Sequence, residues 1–297
     1  MTHQAAGTSA VFEALQDEIC AGLEDLDRGY RFGEDHWTRP GGGGGRSRTI
    51  TGDVIEKGGV GYSAVHGELS AKAAEALRAE GRTFYATGVS IVLHPRNPHT
   101  PIIHMNVRYF ELEGGRWWFG GGIDLTPHYV DRALARNFHE RLRDTCATHA
   151  DCADYELFKR QADAYFYLPH RRETRGVGGI FYDRLSVPDY PTLLDFSLDV
   201  GRAFVPAYAA QVAATRHRRF DESHRRWQGL RRGRYVEFNL AWDRGTKFGL
   251  ETDGRAESIL MSMPPQANWV YDYQPAPDSP EAQTLAALRK DIDWLSA

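Results

Sequence analysis

The chain switches between two kinds of apolar spacing, and each predicts its own element. Val11, Leu15, Ile19, Leu23 and Leu26 recur at helical intervals behind Ser9, which predicts a first helix over about 9–26, capped by Ser9, inside an N-terminal helical segment of about 1–35. Short strands divided by turns are expected from Trp37 to Gly67. A short helix near Glu68–Arg78 then leads into three strands that begin near Gly88 and run through Phe119. Helical periodicity returns over Asp131–Thr148, Tyr155–Tyr165 and Tyr190–His217, where Pro206 should kink or divide the last element. Between them, Pro169, Gly176, Gly178 and Gly179 make YFYLPHRRETRGVGGIFYDRL an irregular loop feeding a strand. The stretch RGRYVEFNLAWDRGTKFGLETDGRAESILMSMPP reads as a second strand block, a hairpin or meander, and a helix around Glu281–Leu295 closes the chain. Strands in two blocks with segregated helices predict one α+β domain over 1–297, built on a large, mostly antiparallel sheet.

The three central strands carry the most informative pattern. Side chains on a strand alternate between faces. Ser90, Val92 and His94 therefore point one way, and on the next strand Ile102, His104, Asn106, Arg108 and Phe110 share a face while Ile103, Met105, Val107 and Tyr109 take the other. A row of His, Asn and Arg backed by an apolar row predicts a sheet with one face on the core and the other flooring a pocket for an anion.

Composition narrows the class without choosing the ligand. At 297 residues and 41% hydrophobic, the chain can bury a substantial core. No apolar run is long enough to span a bilayer, and the N-terminus lacks the basic and apolar regions of a secretion signal, which predicts a cytoplasmic protein. A net charge of −4 argues against a general nucleic-acid binder. Only Lys57, Lys72, Lys159, Lys247 and Lys290 are lysines among the 36 basic residues. The rest are arginines, suited to bidentate capture of carboxylates or phosphates, although arginine-favouring codon usage accounts for the bias equally well. Cys20, Cys146 and Cys152 show no CxxC spacing and read as reduced structural thiols.

Several motifs carry candidate chemistry, each beside a plainer explanation. The tract GGGGGRSR is either a linker or a mobile loop, and Arg46, Ser47 and Arg48 behind it favour a loop closing over an anionic ligand. His94, His104, His139 and His170 could form a metal-binding quartet, yet their spacing matches no compact metal signature. His104, sharing a face with Asn106 and Arg108, could donate a proton beside a bound carboxylate. In WWFGGGIDLTP, the glycines either let a flat ligand approach the backbone or mark a β-bulge with Asp124 as a helix cap. Asp243 and Arg244 fall at an expected strand end, and Asp253, Gly254 and Arg255 read as a tight turn.

Taken together, GGGGGRSR, EKGGVGYSAVHG, GVSIVLHPRNP, HMNVRYFE, WWFGGGIDLTP, YFYLPHRRETRGVGGIFYD, RGRYVEFNLAWDRGTKFGL and RAESILMSMPP resemble, in order, the segments of oxygen-dependent coproporphyrinogen III oxidases of haem biosynthesis. The resemblance spans nearly the whole chain. It implies a broad antiparallel sheet flanked by helices on both faces, a homodimer joined through about 235–270, and conversion of two propionates of coproporphyrinogen III to vinyl groups by O2. It further implies Ser90, Asn106, Val107, Arg108, Asp253, Gly254 and Arg255 as substrate contacts and His104 as proton donor. Asp124 and Asp243 match acids that act on the substrate, with Arg244 beside the latter, while His94, His104, His139 and His170 match positions for a divalent metal such as Mn. No organic cofactor is implied; O2 is the co-substrate. The chain departs from the pattern at Gly61, where the family commonly has Asn, and at Asp253, a place more often glycine, where an added negative charge beside Arg255 bears on propionate binding.

Overall fold

The alternation in the central strands is realised as a seven-stranded antiparallel sheet in a computed structural model that describes residues 3–251 and 254–296. Its members, in spatial order, are β1 (Gly33–Thr38), β2 (Gly43–Ile50), β3 (Ile55–Glu68), β4 (Thr83–Pro95), β5 (Ile102–Leu112), β6 (Trp117–Thr126) and β9 (Gly178–Leu185). Two short strands, β7 (Tyr167–Leu168) and β8 (Glu173–Thr174), pair with each other in the predicted irregular loop. The register sets Val92, His104, Asp124 and Gly179 in one row and Ser90, Asn106, Gly122 and Phe181 in the next.

One face of this sheet is the core. Val89, Ile91, Ile103, Met105, Val107, Tyr109, Ile123 and Leu125 pack there beneath α1 (His3–Leu26), α3 (Arg132–Thr148) and α5 (Tyr190–Thr215). The other face carries the polar row and is partly covered by α6 (Glu222–Ala241), whose Tyr235 and Phe238 rest near Val92, Ile102 and Phe166. Beyond it follow α7 (Arg244–Glu251) and the short α8 (Ala256–Leu260). Helix α2 (Ala71–Leu77) lies between β3 and β4, α4 (Tyr155–Tyr165) packs against β9, and α9 (Pro280–Ala287) ends the helical elements. The α+β class with helices on both faces is therefore correct.

Several expectations are corrected. The second strand block is helical: Asp221 caps α6 through the backbone N–H groups of Ser223 and His224, and Trp227, Leu230, Arg231, Tyr235 and Phe238 then recur at helical spacing on its buried side. Local alternation in YVEFNLAW imitated a strand. Helix α5 runs unbroken through Pro206, because Phe204, Ala207 and Tyr208 are fully buried and their packing outweighs a proline cost of about 3 kcal/mol. Ser9 lies inside α1, where its hydroxyl meets that of Tyr62, and the C-terminal helix stops at Ala287.

The glycine tract is neither linker nor mobile loop. Gly42 and Gly43, at φ of +114° and +81°, make the turn between β1 and β2, and the strand resumes at Gly43. Arg46 and Arg48 consequently project toward α1. Arg46 reaches Asp17 at 2.7 Å and Gln16 at 2.7 Å, and Arg48 reaches Asp17 and Glu34, each at 2.7 Å. Neither guanidinium is available to a ligand over the polar face; only Ser47 points that way, with its hydroxyl 3.0 Å from that of Ser258.

Candidate active site

The polar row becomes a site because neighbouring strands bring its members into contact. His104 faces Asp124 across the β5–β6 pair, with Nδ1 2.7 Å from Oδ1. From the loop before β9, Arg175 closes on the same carboxylate: its Nη2 lies 2.7 Å from Oδ1 and 2.8 Å from Oδ2, and Nη1 donates to Asn239 Oδ1 at 2.9 Å. The rings of Phe166, Tyr235 and Phe238 surround that guanidinium at 4.4, 4.7 and 4.6 Å. Burial alone would raise the Asp124 carboxyl, but the Arg175 guanidinium and His104 hold it below the usual carboxylate range. Asp124 is thus a strand residue and not a helix cap, and its oxygens are occupied by protein. His104 Nε2 has no bond partner among the described residues.

Two rows along, the floor opens. Arg108 Nη1 donates to Asn106 Oδ1 at 2.9 Å and Nη2 to Asp183 Oδ1 at 2.7 Å, while Ser90, opposite Asn106, is exposed. Val107, one position away, lies in the core with no exposed surface, so strand parity leaves only its main chain for a ligand.

Asp243 follows α6, at a helix junction where a strand end was expected. Its Oδ1 accepts from the Tyr165 hydroxyl at 2.8 Å and its Oδ2 from the Thr246 N–H at 2.7 Å. Burial opposes ionisation, and these two donors, with His104 nearby, keep the carboxyl below its ordinary range. Arg244 lies over the Tyr165 ring at 4.9 Å and the Phe181 ring at 5.9 Å, beside the stacked pair those rings make.

Farther across the floor, a cleft of about 750 Å³ is lined by Asp35, Ser47, Lys57, Arg255, Ser258 and Met261, among others. Arg255 Nη1 lies 2.5 Å from Asp35 Oδ2. Gly254 donates its N–H to the Gly249 carbonyl at 2.8 Å, and Asp253 lies outside the described residues.

The four histidines are not assembled into one metal set. His139 is on the core side, where Nε2 donates to the Val177 carbonyl at 2.9 Å and Nδ1 accepts from the Tyr155 hydroxyl at 2.9 Å. His94 donates Nε2 to the Ser262 carbonyl at 2.8 Å, and His170 is engaged by Glu237 at 2.7 Å and by the Trp242 indole N–H at 3.0 Å. With these nitrogens committed, the quartet does not fit a shared ion, and no group of three or more His, Cys, Asp or Glu among the described residues is placed to hold one.

Reading residues singly overlooked Arg175, Asp183, Tyr165 and Asn239. Arg175 carried the clearest signal, an arginine directly before the glycines of RGVGG, which let the chain pass close to β6.

No described helix is long and apolar enough to cross a membrane. The sequence model of the coproporphyrinogen III oxidase family matches residues 8–294, nearly the entire chain. On that match the chain belongs to the coproporphyrinogen III oxidase family, whose reaction is the decarboxylation of coproporphyrinogen III in haem synthesis.

Proposed function

We propose that the chain is an oxygen-dependent coproporphyrinogen III oxidase that converts two propionates to vinyl groups and yields protoporphyrinogen IX. In each round the C–COO⁻ bond breaks and its electron pair forms the vinyl double bond as CO2 leaves. The hydrogen lost from the neighbouring carbon passes with its two electrons to O2, which takes one more proton and departs as hydrogen peroxide. The electron-rich tetrapyrrole is the reductant, so the protein's task is to bind, orient and move protons.

The observation that carries this reading is one sheet face holding Arg108, His104 and, nearby, Asp243. Arg108, bonded through Nη1 to Asn106, offers its guanidinium to a propionate, with Ser90 beside it. Asp243 is kept ionised and retains acceptor capacity for pyrrole N–H groups, which would enrich the ring in electrons. Asp124 has its oxygens filled by Arg175 and His104, so its part is to orient His104 for proton transfer through Nε2. Arg255 stands over β1, and strand spacing puts roughly 19 Å of sheet between β1 and β5, a span that suits a macrocycle with carboxylates around its rim. No step is routed through a metal, since the quartet does not fit one.

Leu240, Trp242, Leu250, Leu260, Trp269 and Val270 are exposed large apolar side chains within 235–270, which supports a homodimer formed through this region. Three free cysteines, two of them buried, fit a reducing cytoplasm.

The test is to supply coproporphyrinogen III with and without air, before and after exhaustive chelation. Oxygen-dependent formation of protoporphyrinogen with two CO2 per substrate is expected. A well-folded, aerated protein that leaves the substrate unchanged, whatever ion is added, would overturn the reading.

A further inference from the structure

The last strand departs from regular pairing at one place. Phe119 pairs with Leu185 and Gly121 with Tyr182, so Asp183 and Arg184 together stand opposite Gly120. Arg184 adopts φ of +57°, the left-handed region that a side chain disfavours. Tyr182 is fully buried in the core and Leu185 packs against it, so the extra residue returns Leu185 to the core, while Asp183, two residues after Phe181, stays on the polar floor by strand alternation. There Asp183 accepts from Arg108 at 2.7 Å. Gly120 leaves the space: a Cβ at that position would come within 2.8 Å of Arg108 Nη2 and 2.9 Å of Asp183 Oδ1. The missing side chain of Gly120, opposite the bulge, makes room for this one ion pair. The pair is also loose, because its side chains are 34% and 31% exposed, and partly exposed pairs exchange at little cost.

We propose that Asp183 is a positioning residue acting through Arg108: it holds the guanidinium on the floor between turnovers, yields it to an incoming propionate, and reclaims it once that propionate has become an uncharged vinyl. The proposal rests on the reading of Arg108 as a propionate anchor. Binding exchanges one carboxylate for another while Asn106 keeps Nη1 in place, so Arg108 is never without an anionic partner. Loss of CO2 removes the competing charge, and Asp183 then displaces the product edge. Asp183 in this way trades affinity for release in an enzyme that must present two propionates in succession.

Asp183→Asn keeps shape and an acceptor oxygen while removing the charge. Binding is read by fluorescence titration with coproporphyrin III, the oxidised and unreactive form with the same propionates, and turnover by KM and kcat in air. The variant is expected to bind the porphyrin roughly two- to fivefold more tightly, the worth of one partly exposed pair, with a lower KM and a lower kcat from slowed release. An unchanged or weaker affinity would show that Asp183 merely props Arg108 and would overturn the proposal. In an Arg108→Ala background the same change should do nothing, and a persisting effect there would also sink it. Wild-type protein that binds the porphyrin yet leaves coproporphyrinogen III intact in air would refute the oxidase reading, while the affinity comparison still judges Asp183.

Discussion

The two faces of strands β4–β6 are made by alternate residues of the same chain, yet they obey different rules. On the core face, Ile91, Met105, Val107 and Ile123 are fully buried, and even its histidine partner, His139, has both ring nitrogens bonded. On the floor face, His104 bonds through one nitrogen, Ser90 is exposed, and Arg108 sits in an exchangeable pair. The comparison teaches that polarity alone does not make a site. Where α6 covers the floor, the charge of Asp124 survives only because Arg175 and His104 neutralise and saturate it. Beyond α6 the polar groups can bond something else, and the chemistry belongs there.

The strongest way to break this contrast is to remove the cation beneath α6. Arg175→Ala leaves a carboxylate that is 1% exposed with only His104 as partner, so a loss of about 3–5 kcal/mol in urea-unfolding stability is expected. Arg175→Met combined with Asp124→Asn should recover much of that loss; if the single variant is as stable as wild type, the covered half of the floor is not held by this pair. Arg108→Ala, on the open half, should instead leave stability nearly unchanged and lower kcat/KM by roughly a hundredfold, the worth of one charged hydrogen-bonded contact to substrate. Arg48→Gln is its control: Arg48 is committed to Asp17 and Glu34, so turnover should stay within about a factor of two. Equal losses in the two variants would erase the distinction between the faces.

A separate effect concerns protons. Burial lowers His139 to about 4 and His94 to about 3 from the ordinary 6.5, so the unfolded chain takes up these protons first on acidification. Stability from these neutral imidazoles is complete above about pH 6.5 and is lost as pH falls toward 4. For His139 alone about 2 kcal/mol should be gone by about pH 5. Unfolding curves at neutral and acid pH check this, and His139→Gln should flatten part of the slope.

Much of this architecture was legible one residue at a time, because period-2 alternation in Ile102–Phe110 separates core from floor whatever lies beyond the strand. It also placed the Val107 side chain in the core, which leaves its main chain for a ligand. Helix α6 was misread, since YVEFNLAW alternates locally and only its burial against β4 and β5 selects the helical period. Arg46 and Arg48 looked like anion binders, but β2 parity turns them toward acids on α1 that lie far away in sequence.

Pattern and composition along the chain were enough for the class of fold, the polar row and the resemblance, since each is a property of neighbouring or ordered residues. Folding alone decided which charges cancel. Arg175 meets Asp124 across 51 positions and Asp183 meets Arg108 across 75, and electrostatic pairing depends on distance in space, which local periodicity does not encode.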